Sequence, residues 1–379
     1  MGTLARVCAA LLLTTMAGAQ APTAQVTDRL WVGPMPFAGP RDLRPDFFDT
    51  ITNPAAWPTV LSHTDVFKSY LMVLPADPVP GKTAPELPDT QMAELASFFR
   101  DRSIRVAFEV GGLRMGPDKP QRGQWGKQVA EGEFRHLKRW LDAGGSIDYL
   151  TTDHAVMANL GHRVAEGTDC RLTLAEVLEE LGDYFAEMTR RIPGVRVGCI
   201  ESLGFFHVAG PDGSDYPRTV PTLPVWRFEE YFDLLLATLR RRGLTLDHFH
   251  IDFGYEGVAY DGRRLGRDGL DFGRVLGVER FVQSRGVRAG VIVNAFHDQT
   301  VEQPDPAVAS REAQERTLAF LSGYAAAGGR AEHLVLQTWQ PFPDRTGPED
   351  EPGTVLHLDK RLLTSEAMRV LLPDLAPRR

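Results

Sequence analysis

Carboxylate, amide and histidine side chains recur at the ends of short apolar segments along this chain of 379 residues. The clearest case is DHFHIDFGYEG, positions 247–257, in which His250 and Asp252 alternate with three apolar residues. Such alternation predicts a β-strand with one apolar face and one ionisable face. Two carboxyl groups held together, one protonated and one ionised, can perform general acid–base or nucleophilic chemistry.

Seven further segments have the length and composition of strands, and amphipathic segments separate them. One of these amphipathic segments begins with Thr173 and Glu176 at the spacing of a helix capping box. Strands that alternate with helices form parallel βαβ units, and eight such units close into a barrel. We therefore predict an α/β fold, a single (β/α)8 TIM barrel domain over residues 20–379. An open doubly wound sheet is the alternative, but no glycine-rich dinucleotide loop follows the first predicted strand, LWVGPMP.

The carboxyl ends of the strands build the active site in such barrels, and polar residues lie there on most of the predicted strands. The residues that we place at this rim are Lys68, Glu109, Asp153, Glu201, His250, Asp252, Asn294, Gln337 and Trp339. An inward Lys68 requires a compensating charge, which predicts an ion pair with Glu109 or Glu201. His250 lies one pleat below Asp252, where we expect it to orient that carboxylate. A rim of carboxylates and amides suits a polyhydroxylated ligand such as a sugar.

The segments LTTDHA, CIES and HIDFG and the eighth-strand run QTWQPFP resemble the secreted glycoside-hydrolase-type (β/α)8 barrels. The resemblance covers the predicted mature chain and implies a glycoside hydrolase acting through strand-end carboxylates. The common arrangement in that group has an Asn-Glu pair at the end of strand four and a Glu at the end of strand seven. This sequence has Asp153-His154 and Asn294 at those places.

The predicted catalytic residues are Glu201, Asp252 and Asp153. Glu201 follows the apolar pair Cys199-Ile200, an environment that raises the pKa of a carboxyl group, so we predict that it is the general acid/base. Asp252 or Asp153 is then the nucleophile or the group that stabilises the transition state. The resemblance also suggests that Trp339 forms a platform for the sugar ring, following a cis peptide bond. The other interpretation of Trp339 is an aromatic plug of the barrel core.

Two further functions fit the same residues. One is a metal-dependent sugar isomerase or epimerase, whose ligands would be Glu109, Glu201, His250, Asp252 and His154. The other is a carbohydrate-binding barrel without catalysis. The glycosidase interpretation requires no cofactor and no metal. No glycine-rich turn follows strands seven and eight, which disfavours a phosphorylated substrate.

The N-terminus has the pattern of a secretory signal peptide over residues 1–19: Arg6, an apolar run over 7–16 and the cleavage motif Ala17-Gly18-Ala19. We therefore expect a secreted or periplasmic protein without a membrane anchor. The net charge of −8, from 42 basic and 50 acidic residues, argues against nucleic acid as a partner. The expected partner is a small-molecule or oligosaccharide substrate, and the oligomeric state is unknown. Cys170 and Cys199 could pair as a disulfide in an oxidising compartment.

Overall fold

Eight parallel strands close into a barrel in the order in which they follow one another along the described chain. They are β1 (Leu30–Pro34), β2 (Val66–Tyr70), β3 (Arg105–Val110), β4 (Tyr149–Asp153), β5 (Arg196–Ser202), β6 (His248–Asp252), β7 (Arg288–Val293) and β8 (His333–Thr338). Strand β8 pairs with β1 in parallel and completes the closure. The predicted (β/α)8 TIM barrel, a single domain, is confirmed.

The computed structural model describes residues 28–37, 44–74, 87–115, 122–154, 172–209, 226–253, 272–295, 304–338, 342–375 and 377. Three sequence predictions concern residues outside these ranges: the signal peptide over 1–19, Trp339 with its preceding peptide bond, and Cys170. Among the described residues, Cys199 carries a free and buried thiol. No helix of the described residues combines the length and the apolar character that crossing a membrane requires.

Helices cover the outside of the barrel in the connections between strands. The described ones are α1 (Phe47–Thr52), α2 (Pro58–His63), α3 (Asp89–Asp101), α4 (Trp125–Asp142), α5 (Leu174–Arg191), α6 (Phe228–Arg241), α7 (Phe272–Ser284), α8 (Pro306–Ala326), α9 (Val355–Leu363) and α10 (Glu366–Leu371). The capping box predicted at Thr173 and Glu176 opens α5. Two short helices, α9 and α10, follow the eighth strand near the C-terminus, and the Ser365 hydroxyl caps the second by accepting from the Met368 amide.

The strand register separates an inner core from an outer core. Seven residues, one from each strand except β6, fill the centre of the barrel: Trp31, Val66, Ala107, Tyr149, Ile200, Ile292 and Val335. The alternate residues, such as Phe67, Cys199 and Ile251, belong to the larger apolar layer that packs under the helices. This alternation decides which strand-end side chains can reach the mouth of the barrel.

Three histidines, His248, His250 and His333, surround the Trp31 ring inside the barrel. Gly198 and Gly290 leave room for two of them, because a Cβ atom at either position would overlap the imidazole of His248 or His250. Burial lowers the pKa of all three rings, so they stay neutral. They form part of the barrel core beneath the C-terminal end.

Candidate active site

Two aspartates from different strands face the interior at the C-terminal end of the barrel. Asp153 ends β4 and Asp252 ends β6, and the imidazole of His154 lies between their carboxyl groups. His154 Nδ1 is 3.0 Å from Asp153 Oδ1, and its Nε2 is 3.6 Å from Asp252 Oδ2. The barrel thus brings together two carboxyl groups that lie about a hundred residues apart in the sequence, with a titratable ring between them.

The backbone of His154 has φ 46°, in the left-handed region that residues with a side chain seldom adopt. Such a conformation costs on the order of 1–3 kcal/mol and tends to occur at functional sites. Burial alone would lower the pKa of His154, but the carboxylates of Asp153, Asp252 and Glu201 outweigh it and raise that pKa to about 9. His154 is therefore an imidazolium at neutral pH. We predicted it only as a ligand of the metal alternative; its position directly after Asp153 was the signal in the sequence.

Asp252 is buried and receives a hydrogen bond from the amide of Asn294, with Nδ2 3.4 Å from Oδ1. Burial raises the pKa of Asp252, His154 opposes this shift, and the carboxylate of Asp153 adds to it. Within the described residues, the Asn294 Oδ1 atom has no hydrogen-bond partner. This amide oxygen is open to a hydroxyl group of a ligand.

Lys68, Glu109 and Gln337 form a connected polar chain across β2, β3 and β8. The Lys68 ammonium lies 2.6 Å from the Glu109 carboxylate, and it also donates to Gln337 Oε1. Gln337 in turn donates from Nε2 to Glu109 Oε2 over 3.0 Å. Burial raises the pKa of Glu109, and Lys68 opposes the rise. The predicted ion pair of an inward Lys68 with Glu109 is confirmed.

Glu201 lies on the other face of its strand. It pairs in register with Ile251 of the outer core, while its neighbour Ile200 belongs to the inner core. Its Oε1 accepts a hydrogen bond of 3.3 Å from Tyr231 on helix α6. The alternation of β5 directs Glu201 toward the helical layer and not to the inward face on which we expected it, although its carboxylate contributes to the raised pKa of His154. The structure does not bring Glu201 together with Asp153 and Asp252 on the inner face.

His250 is fully buried beneath Asp252, on the same face of β6. Its Nε2 atom makes a hydrogen bond of 3.1 Å with His333 Nδ1. The hydrogen bond to Asp252 comes instead from Asn294. The expectation that His250 orients Asp252 is therefore wrong. The side-chain amide of Asn294, directly after β7, makes that contact.

The ligand set of the metal-dependent alternative is also dispersed. Glu201 accepts a hydrogen bond from Tyr231 on helix α6, and His250 pairs with His333. In the part of the chain that the structure describes, no group of three or more histidine, cysteine or carboxylate side chains has the geometry to hold a metal ion.

A cavity of about 540 Å³ opens beside the aspartate pair. Asp153 and Glu109 line one side of it, and helix α4 lines the other. A volume of roughly 300–1,000 Å³ is usual for small-molecule sites. A ligand in this cavity would reach the carboxyl group of Asp153 directly.

The fold of this chain occurs in solved structures of other proteins, although no family model matches the sequence and no curated protein matches it. The GH53 catalytic domain of Ignisphaera aggregans superposes with a TM-score of 0.50 at 12% identity, over 91% of this chain and 98% of that chain. A GH10 endoxylanase from a sugarcane soil metagenome gives 0.48 at 8% identity, over 88% and 97% of the two chains. Active domain 2 of a thermostable chitinase from Pyrococcus furiosus gives 0.44 at 11%, over 89% and 95%. The first of these similarities shows the shared (β/α)8 fold.

Proposed function

We propose that this protein is a glycoside hydrolase in which Asp153 and Asp252 are the reacting carboxyl pair. The observation that carries the proposal is the meeting of these two carboxyl groups, with His154 between them, on the inner face at the C-terminal end of the barrel. Glycoside cleavage uses two carboxyl groups on either side of the scissile bond, one as acid and one as base or nucleophile. The fold shared with a GH53 catalytic domain supports the same function.

The different surroundings of the two aspartates suggest their roles. Burial and the nearby Asp153 raise the pKa of Asp252, so Asp252 is the group that can hold a proton and donate it to the glycosidic oxygen. Asp153 lies beside the imidazolium of His154, with its Oδ1 3.0 Å from Nδ1. Ionised Asp153 attacks the anomeric carbon or removes a proton from the attacking water. One water molecule is consumed, and the glycosidic C–O bond is broken.

The polar side chains around the pair suit the hydroxyl groups of a sugar. Asn294 offers its amide oxygen, and Glu109, held by Gln337, offers a carboxylate at the cavity wall. Hydroxyl groups that bridge such amides and carboxylates gain orientation as well as binding energy. Trp339 remains a predicted platform for the sugar ring.

The test is turnover of a panel of aryl glycosides and oligosaccharides of varied sugar and anomeric configuration. We expect release of the aglycone or a shortened sugar by the wild-type protein, and a loss of at least 100-fold in kcat for Asp153→Asn. The anomer released first reports the mechanism: retention requires carboxyl groups about 5–5.5 Å apart, and inversion about 6.5–9.5 Å. Sugar binding without any turnover would favour the carbohydrate-binding alternative, and no binding of any sugar would contradict both.

The proposal includes export of the protein, which the signal pattern over residues 1–19 suggests. Mass spectrometry of the protein from its native host should find a mature N-terminus at Gln20. An intact N-terminus on protein confined to the cytoplasm would contradict export without affecting the proposed chemistry.

A further inference from the structure

The cavity beside the aspartate pair occupies one sector of the barrel mouth. Its walls are helix α4 and the ends of β2, β3 and β4, which contribute Leu71, Val110 and Asp153. Asp252 ends β6, which lies across the eight-stranded barrel from β2, and it is not among the described residues that line the cavity. His154 separates the carboxyl groups of Asp153 and Asp252. The cavity is therefore on the side of Asp153 that faces away from Asp252.

The roles proposed for the two aspartates give the substrate a direction across this mouth. Asp252 donates its proton to the glycosidic oxygen, so the leaving group lies toward Asp252. Asp153 attacks the anomeric carbon, or activates the water that does so, on the face opposite the leaving group. The attacked sugar ring then lies nearest Asp153. A further sugar unit that is attached to this ring away from the scissile bond extends away from Asp252, toward the cavity.

The lining of the cavity mixes polar and apolar side chains, as a sugar requires. Gln128 and Arg135 on α4 are exposed at its opening, at the helical spacing of four and three residues from Gly132. The amide can donate and accept hydrogen bonds and the guanidinium can donate them, so both can bind hydroxyl groups. Val110 and Val129 offer apolar surface to the C–H faces of a sugar ring.

Glu133, also in the α4 wall, is uncharged at neutral pH. Its carboxyl group is buried and accepts a hydrogen bond of 2.6 Å from the Tyr184 hydroxyl. Burial raises the pKa of Glu133 to about 8, although Tyr184 and the backbone of Gly111 and Gly112 oppose the rise. A protonated carboxyl group can both donate and accept a hydrogen bond. This part of the wall is therefore polar without a charge, which suits a hydroxyl group.

We propose that the cavity binds a second sugar unit of the substrate, the one attached to the attacked sugar on the side away from the scissile bond. The inference rests on the proposed glycoside hydrolase function and narrows its substrates to glycosides of disaccharides and longer chains. The position of the cavity carries it, because Asp153, the attacking group, is a wall residue and Asp252 is not. The polar side chains of α4 then bind the hydroxyl groups of the second sugar.

The test compares the 4-nitrophenyl glycoside of the monosaccharide that the wild-type protein cleaves with 4-nitrophenyl glycosides of its disaccharides. Gly132→Leu fills the cavity from the helix, because an added Cβ atom there meets no atom within 4 Å. Gly277→Leu is the matched control: Gly277 is also a helical, half-buried glycine with no atom within 4 Å of an added Cβ, and it is not a wall residue. Leucine favours a helix over glycine, so both variants should melt no lower than the wild type.

The wild-type protein should cleave a disaccharide glycoside with a kcat/KM at least tenfold above that of the monosaccharide glycoside. Gly132→Leu should lower kcat/KM at least tenfold for the disaccharide glycoside and keep it within threefold for the monosaccharide glycoside. Gly277→Leu should keep both values within twofold. Gln128→Ala, at an exposed position, should lower the value at least threefold for the disaccharide glycoside alone, and it decides the matter if Gly132→Leu does not fold.

A wild-type protein without preference for the disaccharide glycosides would overturn the cavity inference. Equal effects of Gly132→Leu on the two kinds of glycoside would overturn it as well. In both cases glycosides are cleaved, so the proposed function stands. If no glycoside is cleaved, the proposed function fails, and the assignment of the cavity to a second sugar unit fails with it.

Discussion

The two ends of the barrel hold the same kinds of ionisable side chains in opposite electrostatic surroundings. At the N-terminal end, the carboxylate of Asp28 lies against the guanidinium groups of Arg105, Arg196 and Arg288 and accepts from the Tyr149 hydroxyl. Burial alone would raise the pKa of Asp28, but Tyr149 and Arg288 outweigh it and lower that pKa. The carboxylate is thus held ionised by an excess of cations.

Asp247 enters the same N-terminal network. It pairs with Arg288 and lies 3.1 Å from His248 Nδ1, and these partners lower its pKa despite its burial. The network connects the starts of β3, β5, β6 and β7 to Asp28, two residues before β1. Ion pairs of this kind hold strands in register, and their loss leaves uncompensated charges.

At the C-terminal end the balance is reversed. Glu109 pairs with Lys68, His154 lies between Asp153 and Asp252, and the pKa values of Glu109 and Asp252 are nevertheless raised. Carboxyl groups with raised pKa values keep a proton closer to neutral pH. General acid catalysis requires such a proton, whereas burying carboxyl groups of this kind does not stabilise the fold. At the N-terminal end, ion pairs lower the pKa values of Asp28 and Asp247 and stabilise the fold. At the C-terminal end, the raised pKa values of Glu109 and Asp252 mark the place where acid–base chemistry is expected.

The largest expected effect is a difference in activity between variants of Asp252 and Asp247. Asp247 directly precedes β6, and Asp252 is its last residue. Asp252→Asn removes the proposed proton donor and should lower kcat by about 10²–10⁴ with little change in melting temperature. Asp247→Asn should keep kcat within threefold and lower the melting temperature, because Arg288 and His248 lose an anionic partner. Equal losses of activity in the two variants would contradict the division of the barrel into two ends.

Glu133 provides a pH test of the raised pKa values at the C-terminal end. The folded-state pKa of about 8 lies above the ordinary value of 4.5, so the folded protein holds this proton more tightly than the unfolded chain. Its contribution to stability is complete below pH 4.5 and is lost as the pH rises through about 8, at most on the order of 5 kcal/mol. In denaturant melts from pH 4.5 to 8.5, Glu133→Gln should show a shallower decline than the wild type. Parallel curves for the two proteins would show that Glu133 titrates normally.

Asp28→Asn should destabilise the fold by about 2–3 kcal/mol, since three guanidinium groups then face one another without their shared carboxylate. The control is Asp233→Asn, which breaks an ion pair of 2.7 Å with Arg285 on the exposed helical surface. An exposed pair contributes about 0–1 kcal/mol, so this control should melt almost as the wild type does. Urea unfolding of both variants measures the difference in the free energy of unfolding. Equal values would contradict the claim that the N-terminal network stabilises the fold more than an exposed ion pair does.

The smallest expected effect is that of Glu201→Gln, because Glu201 belongs to the outer layer. An amide oxygen can still accept the hydrogen bond from Tyr231, so stability should change by less than about 1 kcal/mol. The value of kcat/KM should stay within threefold of the wild type. A loss of more than 100-fold would restore Glu201 as the general acid/base and displace Asp252 from that role.

The sequence was sufficient for the barrel and for part of the site, because both follow from local periodicity. Alternation placed Lys68 on the inward face opposite Phe67, and a buried ammonium predicted the ion pair with Glu109. The capping box at Thr173 and Glu176 marked the start of α5 for the same local reason. Asp153 and Asp252 ended strands and so had to lie at one rim.

The face of Glu201, the bridging position of His154 and the cavity along α4 were decided only by the tertiary structure. Val197, Cys199 and Ile200 are all apolar, so the alternation of β5 is ambiguous in the sequence. It is settled by Gly198, which faces inward because the imidazole of His248, from the next strand, occupies the space of a side chain there. His154 acquires its raised pKa first from its neighbour Asp153, but also from Asp252 and Glu201, which only the closed barrel brings near it. Period-two alternation is a local property, whereas the direction of a strand face, the charge around a ring and the space beside a helix depend on neighbours that only the closed barrel brings into contact.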